Sequence, residues 1–186
     1  MMVVNELFLR QYQSRSQRLP DWDYAAPGRY SATLCTKERN PYFGEIVDGE
    51  MKRNEMGEVA HNYWIEIPSH HNNVSIDEFI IMPDHIHGIL LLTDNEDVVE
   101  TLHATSLRKE INQNSDYYSE ISPKKGSLST IIRSYKSAVT REIHKHLSPS
   151  FGWQSRYYDH IIRTETDLNN LREYIHLNPE RTLAHA

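Results

Sequence analysis

Ser75-Ile76-Asp77-Glu78-Phe79-Ile80-Ile81-Met82 and His85-Ile86-His87-Gly88-Ile89-Leu90-Leu91-Leu92-Thr93 are separated only by Pro83-Asp84. Two apolar runs of this length around a Pro-Asp turn predict a hairpin, the second strand of which is largely buried. Side chains on a strand alternate between faces, so His85 and His87 project to the same side. Two neutral imidazole nitrogens held that way can bind one divalent ion in cis. Histidine pairs of this spacing also occur in ordinary strands, and with 11 His in the chain some proximity arises by chance, so spacing alone leaves both readings open.

Outward from the hairpin, Tyr30–Thr36 and Phe43–Val47 read as strands from their aromatic and branched residues, with Asp48-Gly49 as a turn into Met51. Met56, Val59, Ala60, Tyr63, Trp64 and Ile67 recur at three- and four-residue steps, which predicts a helix over Glu55–Ile67. Leu128, Ile131, Ile132, Tyr135, Ala138, Val139 and Ile143 mark one face of another, from about Ser127 to His146. Trp153–Arg163 reads as extended. In the last helix, Thr164 and Asp167 have the spacing of a capping box, Leu168, Leu171 and Ile175 form the core face, and Pro179 is the expected stop. The order β, β, α, β, β, α, β, α predicts an α+β fold, a mainly antiparallel sheet with helices packed against it. Asp94–Lys125 is rich in Asn, Asp, Glu and Ser and reads as a polar insertion within one domain spanning residues 1–186.

The 186 residues suit a single domain, and a chain of this size buries enough surface to fold without a disulfide or a structural metal. One cysteine, Cys35, excludes an intramolecular disulfide framework and a multi-cysteine zinc site, and a reducing cytosol fits best. No run approaches the ~18 apolar residues of a membrane span, and Met1–Arg18 lacks the apolar centre of a signal peptide, so no membrane partner and a cytoplasmic location are expected. The formal charge is -6, but Ser122–Arg163 holds eight bases and two acids, a local +6 that leaves -12 on the remainder. A basic face on an acidic body is compatible with phosphate-backbone contact on one side, as well as with ordinary charge scatter on a solvated helix.

Tyr174 and Asn178 stand four residues apart in Glu173-Tyr174-Ile175-His176-Leu177-Asn178-Pro179, on one face of a continuous helix. An amide oxygen is a reasonable hard ligand, and two His with one oxygen leave positions open for water or a phosphate oxygen. Equally, Tyr174 can pack on the sheet while Asn178 caps the helix.

Met82-Pro83-Asp84-His85-Ile86-His87-Gly88-Ile89 resembles the His-hydrophobic-His signature of the HUH single-strand nucleases, in the form carried by tyrosine transposases of the insertion-sequence kind and their REP-associated relatives. Further landmarks similar to that family follow in order: Pro27–Thr33, Tyr42-Phe43-Gly44, Gly126-Ser127-Leu128 to Tyr135-Lys136, Trp153-Gln154 to Tyr158–Arg163, and Tyr174-Ile175 to Asn178-Pro179. They cover roughly Leu19 to Arg181. The resemblance implies a ferredoxin-like antiparallel sheet with the histidines on a central strand and a tyrosine helix laid across it. It also implies a metal-dependent nuclease and strand transferase acting on single-stranded or hairpin DNA. His85, His87 and Asn178 match the ligands of a Mg²⁺ or Mn²⁺ ion, and Tyr174 matches the nucleophile that forms a 5'-phosphotyrosine. A phenol is a weak nucleophile at neutral pH, and such an ion would make the phosphate more electrophilic. Backbone contacts are expected from Arg133, Lys136 and Arg141, with Lys124, Lys125 and Arg163, and base stacking from Tyr157 or Tyr158. Members of the family work as dimers, so a homodimer is compatible with the resemblance. The net charge of -6 and the length of the insertion depart from the family pattern. A hairpin-DNA binding protein without transposition activity and a metal-dependent phosphodiesterase that uses water are the competing readings.

Overall fold

A computed structural model describes residues 22–94 and 124–183. Most of the expected insertion, 95–123, lies outside the described residues. β1 (Gly28–Cys35), β4 (Val74–Ile81), β5 (His85–Leu92) and β6 (Tyr158–Ile162) form an antiparallel sheet in the order β4-β5-β1-β6. β2 (Gly44–Val47) and β3 (Glu50–Arg53) form a separate hairpin around Asp48-Gly49, where φ of 53° and 80° give the two left-handed residues a tight turn needs. The helices are α1 (Glu55–Ile65), α2 (Ile67–His70), α3 (Leu128–His146), α4 (Glu165–His176) and α5 (Asn178–Leu183). With the small hairpin set aside, the main elements run β-α-β-β-α-β with β1 and β5 central, the ferredoxin-like arrangement expected.

Alternation along β5 divides the sheet into two faces. Ile86, Leu90 and Leu92 join Tyr30, Ala32 and Leu34 of β1 under α1 and α3, in a core that includes Trp64, Leu128, Ile131, Tyr135 and Val139. The Tyr135 hydroxyl donates to the Ala60 carbonyl at 2.8 Å and ties the two helices together. Ile89 points the other way and packs with Ile162 against Leu168, Leu171 and Ile175 of α4. Gly88 lies directly under the Trp64 indole, where a Cβ would stand 2.1 Å from a ring carbon. The close approach of helix to strand therefore requires glycine.

Two helix ends differ from the spacing-based expectation. The predicted helix to Ile67 ends at Ile65 because Pro68 has no N–H to give the Trp64 carbonyl, and α2 restarts the chain in a new direction. Pro179 likewise cannot bond back to Ile175, so α4 closes at His176, but Pro179 is then the second residue of α5 instead of the end of helix. Ser127 and Thr164 cap α3 and α4 through Thr130 and Asp167 amides. Among the described residues no helix is long and apolar enough to cross a membrane.

Candidate active site

The centre lies where β5 meets α4. His85 and His87, on the α4 face of the central strand, bring their Nε2 atoms to 3.1 Å, with the rings nearly perpendicular. Each ring is held by its other nitrogen. His87 Nδ1 lies 2.8 Å from the Thr33 hydroxyl, its cross-strand neighbour on β1, and His85 Nδ1 lies 2.5 Å from the Asp84 carboxylate. A carboxylate at Nδ1 favours the His85 tautomer protonated on that side, the one whose Nε2 can present a lone pair to a cation. Asp84 also accepts from Arg39 at 3.2 Å, so it links a cation to the pair.

Tyr174 approaches from α4. Its hydroxyl stands 3.4 Å from His87 Nε2 and its ring meets the imidazole edge-on at 5.1 Å. The distances are within one chain, so the tyrosine faces its own histidines. α4 is fastened to the sheet at both ends. Arg172 makes a two-pronged bond to Asp77 at 2.7 and 2.5 Å, and the β4 register shift between Ile76 and Phe79 is where that carboxylate sits. At the other end Asp167, whose amide donates to the capping Thr164 hydroxyl, places its carboxylate 2.8 Å from His160 of β6, and Arg29 pairs with Glu165.

His87 is 9% exposed, and burial, reinforced by the charges of His85 and Arg39, pushes its pKa well below the usual imidazole value. It is therefore neutral near pH 7, the form that binds metal. Burial raises the Asp84 carboxyl, but the His85 bond and the His85 and Arg39 charges outweigh it, so the group stays ionised below its ordinary range.

These donors fit a small divalent cation. Adjacent ligands of an octahedral ion at metal–ligand distances of ~2.1 Å are about 3 Å apart, and the two Nε2 atoms are 3.1 Å apart with their partners fixed behind them. Among the described residues no third His, Cys, Asp or Glu joins the pair. Asn178 is buried at 6% exposure and opens α5. The four-residue spacing predicts one continuous helix through Tyr174 and Asn178, but Leu177, with φ -87° and ψ 3°, interrupts it, so the two residues stand on consecutive helices.

The expected DNA contacts separate. Tyr158 pairs in register with Thr33, which pairs with His87, so it shares the row and the face of the site. Tyr157 points to the other face, its hydroxyl near Ser129, and packs, partly buried, against the main core. Arg133 and Arg141 are exposed, but on α3, behind the sheet from the histidines. Lys136 is not a surface cation, because its ammonium donates to the Gln154 and Arg156 carbonyls and desolvation lowers its pKa to about 8. Lys124 pairs with Asp23, Lys125 is exposed, and the Arg163 guanidinium lies 5.6 Å from the centre of the Trp22 ring. Thr33 and Asp84 escaped the sequence reading. Asp84 was visible as an acid directly before His85, whereas Thr33 becomes apparent only through strand register.

No family model matches the sequence. An uncharacterized protein of Haemophilus influenzae strain Rd is 34% identical over 175 residues, spanning 90% of this chain and 89% of that protein. Among solved structures, a REP-associated tyrosine transposase bound to a REP hairpin superposes with a TM-score of 0.57 at 17% identity, over 91% of this chain and 74% of that one. The chain therefore belongs to the family of the Haemophilus influenzae protein, and its fold is that of the REP-associated tyrosine transposase, as the order of its motifs implied.

Proposed function

We propose that the protein is a transposase-like enzyme that cuts and rejoins single-stranded DNA beside a hairpin, with Tyr174 as nucleophile. The observation that carries this reading is the Tyr174 hydroxyl 3.4 Å from His87 Nε2, itself 3.1 Å from His85 Nε2. The fold shared with a transposase bound to a hairpin supports the substrate class. In the reaction the Tyr174 oxygen bonds to phosphorus while the phosphorus–O3' bond breaks, leaving a 5'-phosphotyrosine and a 3'-hydroxyl that takes up a proton. Attack by another 3'-hydroxyl reverses the exchange, one phosphodiester for another, without an external energy source.

His85, His87 and Asn178 are the residues that would hold Mg²⁺ or Mn²⁺, which would withdraw charge from a non-bridging phosphate oxygen. The chain's own contribution is positional. Thr33 and Asp84 aim the imidazoles, and Asp77 and Arg172 fasten the helix that delivers the phenol.

The test is incubation of the protein with labelled hairpin-flanked single-stranded DNA and Mn²⁺ or Mg²⁺, followed by denaturing electrophoresis and mass spectrometry. An adduct at Tyr174 that vanishes on chelation is the expected result. Cleavage with a free 5'-phosphate and no adduct would assign water as nucleophile. Binding without cleavage would make the protein a hairpin-DNA binder.

A further inference from the structure

Beside the histidine pair the chain makes an unusual turn. Glu38 and Arg39, neither of them glycine, have φ of 56° and 57°, in the left-handed region that side chains seldom adopt. Such outliers persist only where their surroundings hold them, and here the holding is explicit. Thr36, fully buried, has its hydroxyl 2.8 and 2.9 Å from the Asn40 and Asp84 carbonyls, which share its one proton, and donates its amide to the Asp84 carbonyl at 2.9 Å. Lys37 bonds back to the Gly152 carbonyl at 2.8 Å. The turn is thus knotted to the residue that precedes His85, and the left-handed backbone aims Arg39 at that same residue's carboxylate.

We propose that Arg39 is a phosphate-binding residue that grips the DNA backbone next to the phosphate held at His85, His87 and Tyr174. The inference rests on the proposed DNA-processing function and adds a contact to it. Asp84 stands between Arg39 and His85, bonding Arg39 with one oxygen and His85 with the other. Among the described residues Asp84 is the one ion-pair partner of Arg39, and the arginine side chain remains 46% exposed. A guanidinium has five N–H donors in a planar fork, so one edge can donate to a carboxylate that anchors it while the other donates to a phosphate. The half-buried Asp84 linkage also explains the position. Arg39 is set to one side of the histidines and cannot occupy the place of the scissile phosphate, but a strand lying across the pair carries a further phosphate on each side.

The probe is a 5'-fluorescein DNA hairpin with short single-stranded flanks, its affinity followed by fluorescence anisotropy across a series of NaCl concentrations. Mn²⁺ affinity is measured on the same proteins by titration calorimetry. Arg39→Gln keeps a side chain able to bond Asp84, and thermal melting confirms that it folds. The expected result is about tenfold weaker DNA binding at low salt, a slope of log affinity against log salt reduced by about 0.7 to 0.9, and Mn²⁺ affinity unchanged. Arg39→Lys should restore most of the slope. An unchanged slope while wild type binds the DNA would overturn the proposal and leave the proposed function standing. If that unchanged slope came with weaker Mn²⁺ binding, Arg39 would be a positioning residue acting through Asp84. Failure of wild type itself to bind the DNA would overturn both.

Discussion

His87 and Gly88 are neighbours on one strand, yet they belong to different halves of the molecule. Gly88 faces a large aromatic core built by α1 and α3, where every atom is placed by close packing against Trp64. His87 faces a smaller apolar cluster under α4, beside which Thr33, Asp84, His85 and Tyr174 form a hydrogen-bonded polar group. The period-two alternation of β5 thus separates what holds the fold from what would perform chemistry. Substitutions one residue apart should consequently fail in opposite ways.

The largest effect should come from the α4 face. Tyr174→Phe removes only the hydroxyl near His87, so it should lower adduct formation by at least about a thousandfold, the scale seen when a nucleophile is deleted. Its melting temperature should stay close to that of wild type. A large drop in melting temperature would mean that the two faces are not separable. Gly88→Ala should do the reverse. The new methyl meets the indole of a fully buried tryptophan, and overpacking of this kind costs about 1–3 kcal/mol or more. Urea denaturation should show that loss, while cleavage by the remaining folded protein persists.

The same alternation explains how much could be read without the structure. The β5 histidines, the hairpin before them and the capped helix carrying Tyr174 are local patterns, each complete within about a dozen residues. Sheet order, and with it the position of the site, was accessible only through the resemblance. Arg133, Lys136 and Arg141 were assigned to DNA because they lie off the apolar stripe of α3, but a stripe shows only which side of a helix is buried. It does not show that α3 lies behind the sheet, or that Lys136 is consumed by the Gln154 and Arg156 carbonyls. Thr33 and Arg39 were missed because their importance depends on cross-strand register and on a turn packed against a distant loop.

A finer test of the polar face is Thr33→Val, which keeps the shape on β1 but deletes the bond to His87 Nδ1. Loss of a group that orients a metal-binding imidazole typically costs ten- to hundredfold in affinity. Calorimetric titration with Mn²⁺ should show that decrease with little change in thermal stability. An unchanged affinity would mean that burial alone orients His87.

The smallest expected effect is a pH dependence of stability in metal-free buffer. Burial pushes the His87 pKa well below its ordinary value of 6.5, so as acid is added the unfolded chain takes up the proton before the folded chain does. The folded state's advantage is complete above pH 6.5 and is lost as pH falls below it, by at most about 1.4 kcal/mol per pH unit for one proton. The urea midpoint should therefore decline between pH 6.5 and 5, and His87→Gln should remove most of that slope. Asp84 has the same sign but another window, because its ordinary value is 3.8 and its folded pKa lies lower still, so its contribution is lost only in stronger acid. Gly88→Ala should keep the wild-type slope between pH 6.5 and 5 while starting from a lower stability. If Gly88→Ala instead abolished the slope, His87 would depend on the aromatic core for its burial, and the two faces would be one cooperative unit.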